Sequence, residues 1–305
     1  MGGDFAPEAI VEGAVLAARE LPEDVTIVLV GRQPVIEALL TSHNYTGSQI
    51  EVVHAEDVIE MGEHPTKAFS QKPNSSIGVG FALLADKQVD AFCGAGNTGA
   101  MHVGALFSVR AIEGVQRPGI AGFVPQVTGG YAIMLDIGAN ADCKPDTLDM
   151  FGVIGSIYAQ HTFGIDNPRV ALMNLGEEEK KGSLLAQAAH QLLKNNPKIN
   201  FIGNIEGKDM FVGKADVIVT DGFTGNILFK LGESLYDITT SLGLRHEFID
   251  KTNYESVGGS PIVGINGNVI IAHGISTPVA IQNMLHMAQK QAKANAYQKI
   301  AQALS

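Results

Sequence analysis

Two glycine-rich segments carry the residue types that bind anions through backbone amides. The first, GAGNTG at 94–99, follows a β-branched run, precedes a helical pattern and matches the spacing GxGxxG. Glycines in such a turn let backbone N–H groups approach a phosphate at a helix N-terminus. We therefore predict an anion site at Gly96, Asn97, Thr98 and Gly99. The alternative is a tight strand–helix turn without a ligand.

The second segment, DGFTGN at 221–226, lies in the same order between a strand-like run and a helical pattern. Its backbone amides could bind a second anion or an oxyanion, and the Asn226 side chain adds N–H donors. We place Asp221, Gly225 and Asn226 among the candidate substrate-binding or catalytic residues. The alternative is ordinary helix capping by Thr224 or Asn226.

Two single residues have side chains that suit acid–base or charge chemistry. His273 ends an apolar run just before a glycine and a helix. A histidine there could polarise a carbonyl or protonate a leaving group, although a core histidine with satisfied hydrogen bonds is as good an interpretation. Lys181 lies in the turn GEEEKKG beside three glutamates, where a solvated run of charges is the alternative to a ligand contact.

Asparagines recur where apolar runs end. Asn140 and Asn174 follow such runs, Asn204 lies in or just after NFIGNIEG (200–207), and Asn226 has the same kind of position. Neutral amide donors suit the binding of several polar groups at once. We therefore add Asn140, Asn174 and Asn204 to the predicted substrate-binding residues.

The elements that must position these residues alternate along the chain. Strand-like runs are each followed by a turn and a helical pattern; they lie at 25–30, 89–93, 170–176, 215–221 and 268–274. Continuous apolar strands that alternate with helices indicate a mostly parallel sheet covered on both sides. Ligands bind at the carboxyl ends of such strands. We expect one α/β unit over residues 1–305 with at most a small subdomain.

The opening segment MGGD has the composition of a loop that follows a strand. No strand precedes it in this sequence. We therefore expect that the first strand of the fold is missing before Met1.

Composition excludes several functional classes. Hydrophobic residues make up 45% and charged residues 17%, which rules out a disordered chain. A net charge of −11 without a basic tract gives no electrostatic footprint for nucleic acid. Cys93 and Cys143 form no disulfide framework or zinc motif, so we interpret them as buried hydrophobes in a reducing, cytoplasmic setting and expect no metal. Apolar runs of strand length exclude an integral membrane protein.

A dinucleotide site would need one more residue. An acid about 20 residues after the glycine turn normally binds the ribose, and the segment from Val115 to Leu135 contains no Asp or Glu. We therefore predict no cofactor. An NAD-dependent dehydrogenase on the same fold remains an alternative.

Taken together, the motifs resemble one family over nearly the whole chain. The blocks fall in the family's order: MGGDFAP (1–7), AGNTGA (95–100), RPGIAGFVP (117–125), LDIGANADCKP (135–145), NLGEEEKKG (174–182), FIGNIEG (201–207), DGFTGN (221–226) and GGSPIVGINGNVIIAHG (258–274). The combination resembles the bacterial phosphate acyltransferases of phospholipid synthesis.

The resemblance implies a reaction in which inorganic phosphate and acyl-[acyl-carrier protein] give acyl-phosphate and free carrier protein. A membrane glycerol-3-phosphate acyltransferase then uses the acyl-phosphate. It also implies a three-layer α/β/α Rossmann-like fold similar to isopropylmalate dehydrogenase and phosphotransacetylase, a homodimer, and a cytoplasmic location peripheral to the inner face of the membrane. A non-catalytic module that binds the carrier protein is a second alternative.

On this reading, phosphate would lie at residues 96–99, and Lys181 would supply positive charge. Asn226 and the neighbouring amides would face an oxyanion, and His273 would polarise the carbonyl or assist the thiolate. Asp4 would support the site together with Asn174.

Overall fold

The computed structural model describes residues 1–305, which form two compact units. Unit 1 consists of Met1–Arg110 and Tyr254–Lys293, and unit 2 consists of Ala111–Asn253 and Ala294–Ser305. The sequence-based expectation of one α/β unit over 1–305 stays a prediction.

Unit 1 contains strands and helices in alternation. Its strands are β1 (Ile27–Gly31), β2 (Ile50–His54), β3 (Ala91–Gly94), β9 (Ser260–Val263) and β10 (Asn268–Ile271). Its helices are α1 (Glu8–Ala18), α2 (Gln33–Ser42), α3 (Pro65–Gln71), α4 (Ser76–Ala85), α5 (Thr98–Ser108) and α10 (Pro278–Ala294).

The strands of unit 1 form two separate sets of pairs. β1 pairs with β2 in parallel. β10 pairs with β3 in parallel on one side and with β9 in antiparallel orientation on the other. Helix α10 packs on the second set, with Ile281 and Met284 in one apolar cluster with Ile270.

Unit 2 contains the remaining strands and helices. Its strands are β4 (Gly119–Pro125), β5 (Tyr131–Leu135), β6 (Arg169–Met173), β7 (Asn200–Ile205) and β8 (Val217–Val219). Its helices are α6 (Pro145–Phe163), α7 (Leu184–Asn195), α8 (Gly222–Ser241), α9 (Glu247–Asp250) and α11 (Ala296–Leu304).

The sheet of unit 2 has the order β4-β5-β8-β6-β7, and only the β4–β5 pair is antiparallel. Two glycines of β4 show that helices cover both faces. A Cβ on Gly119 would meet Phe151 of α6, and a Cβ on Gly122 would meet Phe229 of α8. Positions three apart on a strand point to opposite faces, so α6 and α8 form the outer layers of an α/β/α arrangement.

The predicted strands and helices are present, with most ends shifted by a few residues. The run at 89–93 is β3, and the helix expected after it begins at Thr98. The run at 170–176 is β6, which ends at Met173, so that Asn174 starts the following loop. The α/β class with a mostly parallel sheet is confirmed. No helix is both long enough and apolar enough to cross a membrane.

Candidate functional site

The GAGNTG turn joins β3 to α5, and Asn97 is the N-cap of that helix. Its Oδ1 accepts a hydrogen bond from the Ala100 amide at 2.9 Å. Its Nδ2 donates to the carbonyls of Glu60, Met61 and Glu63, all within 3.2 Å. The side chain is therefore committed to the protein. The first N–H groups of a helix have no intrahelical partner, so the groups left for an anion are backbone amides such as those of Thr98 and Gly99.

The N-terminal loop packs against this turn. A Cβ on Gly2 would lie 2.7 Å from Gly96 Cα, so the two glycine backbones are in direct contact. The Asp4 amide donates to the Gly274 carbonyl at 2.7 Å. A Cβ on Gly274 would lie 3.6 Å from Asp4 Oδ1, so the carboxylate also faces that glycine. Unit 1 thus brings Asp4 to the segment that carries His273.

His273 lies two residues after β10 and is half-buried. Its ring centroid is 5.2 Å from that of Tyr254, and its carbonyl accepts a hydrogen bond from the Ser276 amide at 3.0 Å. The histidine is thus placed at the carboxyl end of a parallel strand. That position agrees with the rule for ligand sites in α/β sheets.

In unit 2, a buried carboxylate that the sequence analysis did not select organises the loop after β5. Asp136 is fully buried. Its Oδ1 accepts from the amides of Ile120, Gly138 and Ala139, each at 3.0 Å. Its Oδ2 accepts from the Asn140 amide at 2.7 Å and from Asn140 Nδ2 at 2.9 Å. The signal in the sequence was an acid directly after an apolar strand, in LDIGAN.

The DGFTGN segment packs directly against that loop. Asp221 caps α8, because its carboxylate accepts from the amide and the hydroxyl of Thr224, each at 2.8 Å. The Gly222 amide donates to the Asn140 carbonyl at 2.8 Å. A Cβ on Gly225 would lie 1.9 Å from the Asp136 carbonyl oxygen, so only glycine fits at that position.

Asn226 completes the contact between the two segments. Its Nδ2 donates to the Ile137 carbonyl at 2.9 Å. The structure thus brings Asn140, Asp221, Gly225 and Asn226 into one cluster. The catalytic and substrate-binding roles assigned to them stay predictions.

A second group of predicted residues holds the acidic turn after β6. Asn174 Nδ2 donates to the Lys181 carbonyl at 3.1 Å, and Asn174 Oδ1 accepts from the Leu175 amide. Asn204 Nδ2 donates to the Glu178 carbonyl at 3.0 Å, and its Oδ1 lies 2.8 Å from His190 Nδ1. Both asparagines therefore shape the loop that presents the exposed Lys181 side chain.

These groups lie along one edge of the unit 2 sheet. Asp136 follows β5, Asp221 follows β8 within two residues, and Asn174 follows β6. Asn204 is near the end of β7. Because these four strands run in parallel, their carboxyl ends meet at the same edge, in the order β5-β8-β6-β7. The candidate residues of unit 2 are therefore neighbours along that edge.

Comparison with known proteins identifies the family. A family model described as "Fatty acid synthesis protein" matches residues 1–299. The chain belongs to that family. The resemblance to phosphate acyltransferases is confirmed by relatives that carry that name.

Two relatives and one solved structure illustrate the match. A phosphate acyltransferase of Dictyoglomus turgidum is 44% identical over an alignment of 324 residues that covers 100% of this chain and 96% of the relative. One of Syntrophomonas wolfei is 42% identical and covers 95% of this chain and 92% of the relative. A phosphotransacetylase from Streptococcus pyogenes has a TM-score of 0.67 at 17% identity, covering 92% of this chain and 91% of that one, and shows the same fold.

The thiols of this fatty acid synthesis family member are not poised as nucleophiles. Burial raises the pKa of Cys93 to about 12. Burial, together with the negative charge of Asp136, raises the pKa of Cys143 to about 11. Since the thiolate is the reactive form, both side chains are protonated at neutral pH. No group of three or more His, Cys, Asp or Glu side chains is arranged to hold a metal ion.

The strand that follows α5 also lacks the carboxylate that a dinucleotide site requires. β4 ends at Pro125, and the next residue is Gln126, which is buried. Its Nε2 donates to the carbonyls of Val124 and Met210, and its Oε1 accepts from the Gly213 amide at 2.7 Å. The Gln126 side chain is therefore bonded within unit 2, and the expectation of no cofactor stays a prediction.

We expect Asp136→Asn to destabilise this family member by about 3 kcal/mol, because an amide NH₂ would face N–H groups that the carboxylate now satisfies. The matched control is Asp142→Asn, an exposed aspartate in the same loop, which should change stability by less than about 0.5 kcal/mol. Urea unfolding followed by circular dichroism measures both. Equal midpoints for the two variants would contradict the role assigned to Asp136.

Proposed function

We propose that the chain transfers a fatty acyl group from acyl-[acyl-carrier protein] to inorganic phosphate, giving acyl-phosphate for phospholipid synthesis. The family and its curated relatives support a phosphate acyltransferase. The observation that carries the proposal is the N-terminus of α5. Asn97 is engaged there by residues 60–63 and Ala100, so the first-turn amides are the donors available to an anion.

The chemistry needs no covalent intermediate on the protein. A phosphate oxygen attacks the thioester carbonyl, and the carbonyl oxygen takes the negative charge. The C–S bond then breaks, and the carrier's thiolate leaves and takes up a proton from solvent. A thiol with a pKa near 8.5 is a good leaving group, so catalysis consists of positioning and of stabilising charge. The high thiol pKa of Cys143 agrees with a mechanism that has no cysteine nucleophile.

In unit 1, we assign phosphate binding to the backbone of Gly96, Asn97, Thr98 and Gly99. Asp4 supports this turn, because its loop is bonded to Gly274 and packed on Gly96. His273, beside Gly274, polarises the thioester carbonyl or assists the departing thiolate.

In unit 2, we assign oxyanion stabilisation to the second N–H of the Asn226 side chain and to the Phe223 amide in the first turn of α8. The Gly222, Thr224 and Gly225 amides already bond to Asn140 and Asp221. Lys181 supplies positive charge to an anionic substrate, and Asn174 and Asn204 hold its loop in place. Asn140 and Asp221 fix the α8 N-terminus against the loop after β5. These roles rest on the placement of each group at a strand or helix end.

The reaction is tested with purified protein and long-chain acyl-[acyl-carrier protein], with and without phosphate. We expect thiol release that depends on phosphate and appears together with an equal amount of acyl-phosphate. Thiol release that is independent of phosphate would indicate a thioesterase and would contradict the proposal.

The acyl-transfer assay tests one of the two alternatives, and a nucleotide titration tests the other. Binding of carrier protein by folded chain without turnover would favour a non-catalytic binding module. A dehydrogenase would bind NAD, which a titration of the protein with NADH detects by fluorescence.

The contribution of Lys181 has a matched control beside it. We expect Lys181→Gln to raise KM for phosphate about fivefold, because an exposed ion pair contributes modestly to binding. Lys180→Gln removes the neighbouring exposed charge and should leave KM within about twofold. Equal effects of the two variants would show that only the general charge of the loop matters.

We further propose that the chain forms a homodimer through helix α8. Large apolar side chains are exposed along one stripe of this helix: Phe223, Ile227, Leu231, Ile238 and, at its C-cap, Leu242. Their spacing keeps all five within about 100° of the helix circumference. Exposed patches of this kind mark interaction sites.

A second copy suits this stripe better than an anionic membrane surface does. The stripe contains no charged side chain, and a two-fold axis would place the same stripe from both copies in contact. The net charge of −11 opposes adsorption to anionic lipid headgroups. Peripheral contact with the membrane would then use surfaces other than this stripe. The glycerol-3-phosphate acyltransferase would take up the product there.

We expect Leu231→Glu to convert a dimer into a monomer in sedimentation velocity at micromolar concentration, because it buries a charge in the proposed interface. The control is Leu184→Glu, another exposed leucine, at the start of α7, which should leave the dimer intact. A wild-type monomer, or a dimer that survives Leu231→Glu, would refute this interface.

A further inference from the structure

Unit 2 contains a buried histidine that the proposed mechanism does not use. His190 lies on the buried face of α7 beside Ala189, and only 3% of its surface is exposed. Its ring packs nearly perpendicular to that of Phe201 in β7, with the ring centroids 5.1 Å apart. A histidine that only filled space would need no directed polar contact, so its hydrogen bonds decide what it does.

The ring is bonded to the Asn204 side chain. His190 Nδ1 lies 2.8 Å from Asn204 Oδ1, and both residues are buried. Asn204 Nδ2 donates to the Glu178 carbonyl at 3.0 Å, which fixes the orientation of the amide and turns its oxygen toward the ring. An amide oxygen can only accept a hydrogen bond. His190 Nδ1 therefore carries a proton and donates it to Asn204.

This bond continues to the backbone of Lys181. The Glu178 carbonyl that accepts from Asn204 also accepts from the Lys181 amide, at 3.0 Å. On the other side of the same residue, Asn174 Nδ2 donates to the Lys181 carbonyl at 3.1 Å. Lys181 is thus held through both of its backbone polar groups. One of the two is the end of a hydrogen-bond relay from His190 through Asn204 and the Glu178 carbonyl.

Two glutamates of this turn are paired with lysines from other segments. Lys214 Nζ lies 2.7 Å from Glu177 Oε1, and Lys194 Nζ donates to Glu179 Oε1. The hydrogen bond from Lys194, together with its positive charge, lowers the pKa of Glu179. Both carboxylates are therefore paired from outside the turn.

The two lysines of the turn have no such partner. Lys180 and Lys181 are exposed, and neither ammonium forms an ion pair within the chain. Both charges are therefore available to an anion from solution. Of the two, Lys181 is the residue whose backbone is held by Asn174 and by the Glu178 carbonyl.

We infer that His190 is a positioning residue for Lys181, acting through Asn204 and the Glu178 carbonyl. The ordered turn presents the Lys181 ammonium to an anionic substrate, a role that rests on the proposed function. Order that is built in before binding lowers the entropy that binding must remove.

The surroundings of the ring suit a hydrogen-bond donor better than a side chain that only fills space. Its second nitrogen, Nε2, lies 3.9 Å from Glu179 Oε1, so both ring nitrogens face oxygen acceptors. A phenyl ring would fill the same space and would leave the buried Asn204 Oδ1 without its donor. A buried acceptor without a partner is costly, so the Asn204 amide would turn and release the Glu178 carbonyl.

The first test measures order in the turn and does not depend on activity. His190→Phe keeps a ring and removes the donor, whereas His190→Asn removes the ring and keeps a donor at the position of Nδ1. We expect the Lys181 amide to exchange with solvent about tenfold faster in His190→Phe and within about twofold of the wild-type rate in His190→Asn, because release of the turn opens this amide locally. Hydrogen exchange followed by NMR measures both rates.

Leu193→Ala is the control for lost packing. Leu193 is fully buried on the same face of α7 and lies against Gly152 of α6. Its truncation weakens the core but leaves the relay intact, so the Lys181 amide should exchange within about twofold of the wild-type rate. Equal acceleration in Leu193→Ala and His190→Phe would overturn the proposal, since loosened packing would then explain the effect.

The second test is kinetic. We expect His190→Phe to raise KM for phosphate about three- to fivefold, close to the effect of Lys181→Gln, and to leave kcat within about twofold, because an exposed charge contributes modestly to binding. His190→Asn should restore KM to within about twofold of the wild-type value. A loss of kcat without a change in KM would contradict a role through Lys181.

A double variant shows whether the two residues act as a unit. If His190 acts through Lys181, adding His190→Phe to Lys181→Gln should change KM by less than about 1.5-fold, because residues in one network are not additive. Effects that multiply in the double variant would refute the relay. If the wild-type chain shows no turnover that depends on phosphate, the acyl-transfer proposal fails, and the exchange rates alone decide whether His190 holds the turn.

Discussion

The Asp136 carboxylate is the interaction on which the unit 2 site depends. It is fully buried and accepts five hydrogen bonds. Four come from backbone amides, including that of Asn140, and the fifth comes from the Asn140 side chain. An ionised carboxylate without a cationic partner is tolerated inside a protein only when its oxygens are satisfied by N–H groups. The loop from Ile137 to Asn140 adopts the shape that supplies those groups. That shape in turn presents the carbonyls of Ile137 and Asn140 to the start of α8.

Asparagine side chains also hold loops in place near the ends of other strands. Asn97, Asn174 and Asn204 use their side-chain amides to hold loops, with Asn97 bonded to three carbonyls and one amide. An asparagine serves this purpose because it is both donor and acceptor and carries no charge to desolvate. The groups then left for a ligand are backbone amides at helix N-termini. Such donors are fixed before the substrate arrives, which is the property that oxyanion and phosphate sites require.

The strand–helix alternation could be predicted from sequence because each run is short, β-branched and followed by glycine. VDAFC before GAGNTGA, and ADVIVTD before DGFTGN, specify both the element and its carboxyl end. The antiparallel strands β4 and β9 were not predicted as such, because an apolar run does not encode the direction of its partner. Asp136 was missed for a related reason. A buried acid differs from an exposed one only in its tertiary contacts, and the amides that satisfy it come from Ile120 and from the loop itself.

Net charge sets the remaining constraint on how this chain can recognise an anion. With 32 acidic and 21 basic residues, the long-range field repels phosphate. The proposed binding of phosphate would therefore rely on short-range dipoles, which act within the first turn of a helix and are screened little at contact distance. The glycine contacts at Gly2–Gly96 and at Gly225–Asp136 bring backbone close enough for such dipoles to converge. A side chain at either position would separate the segments, so the proposed anion sites require close backbone packing.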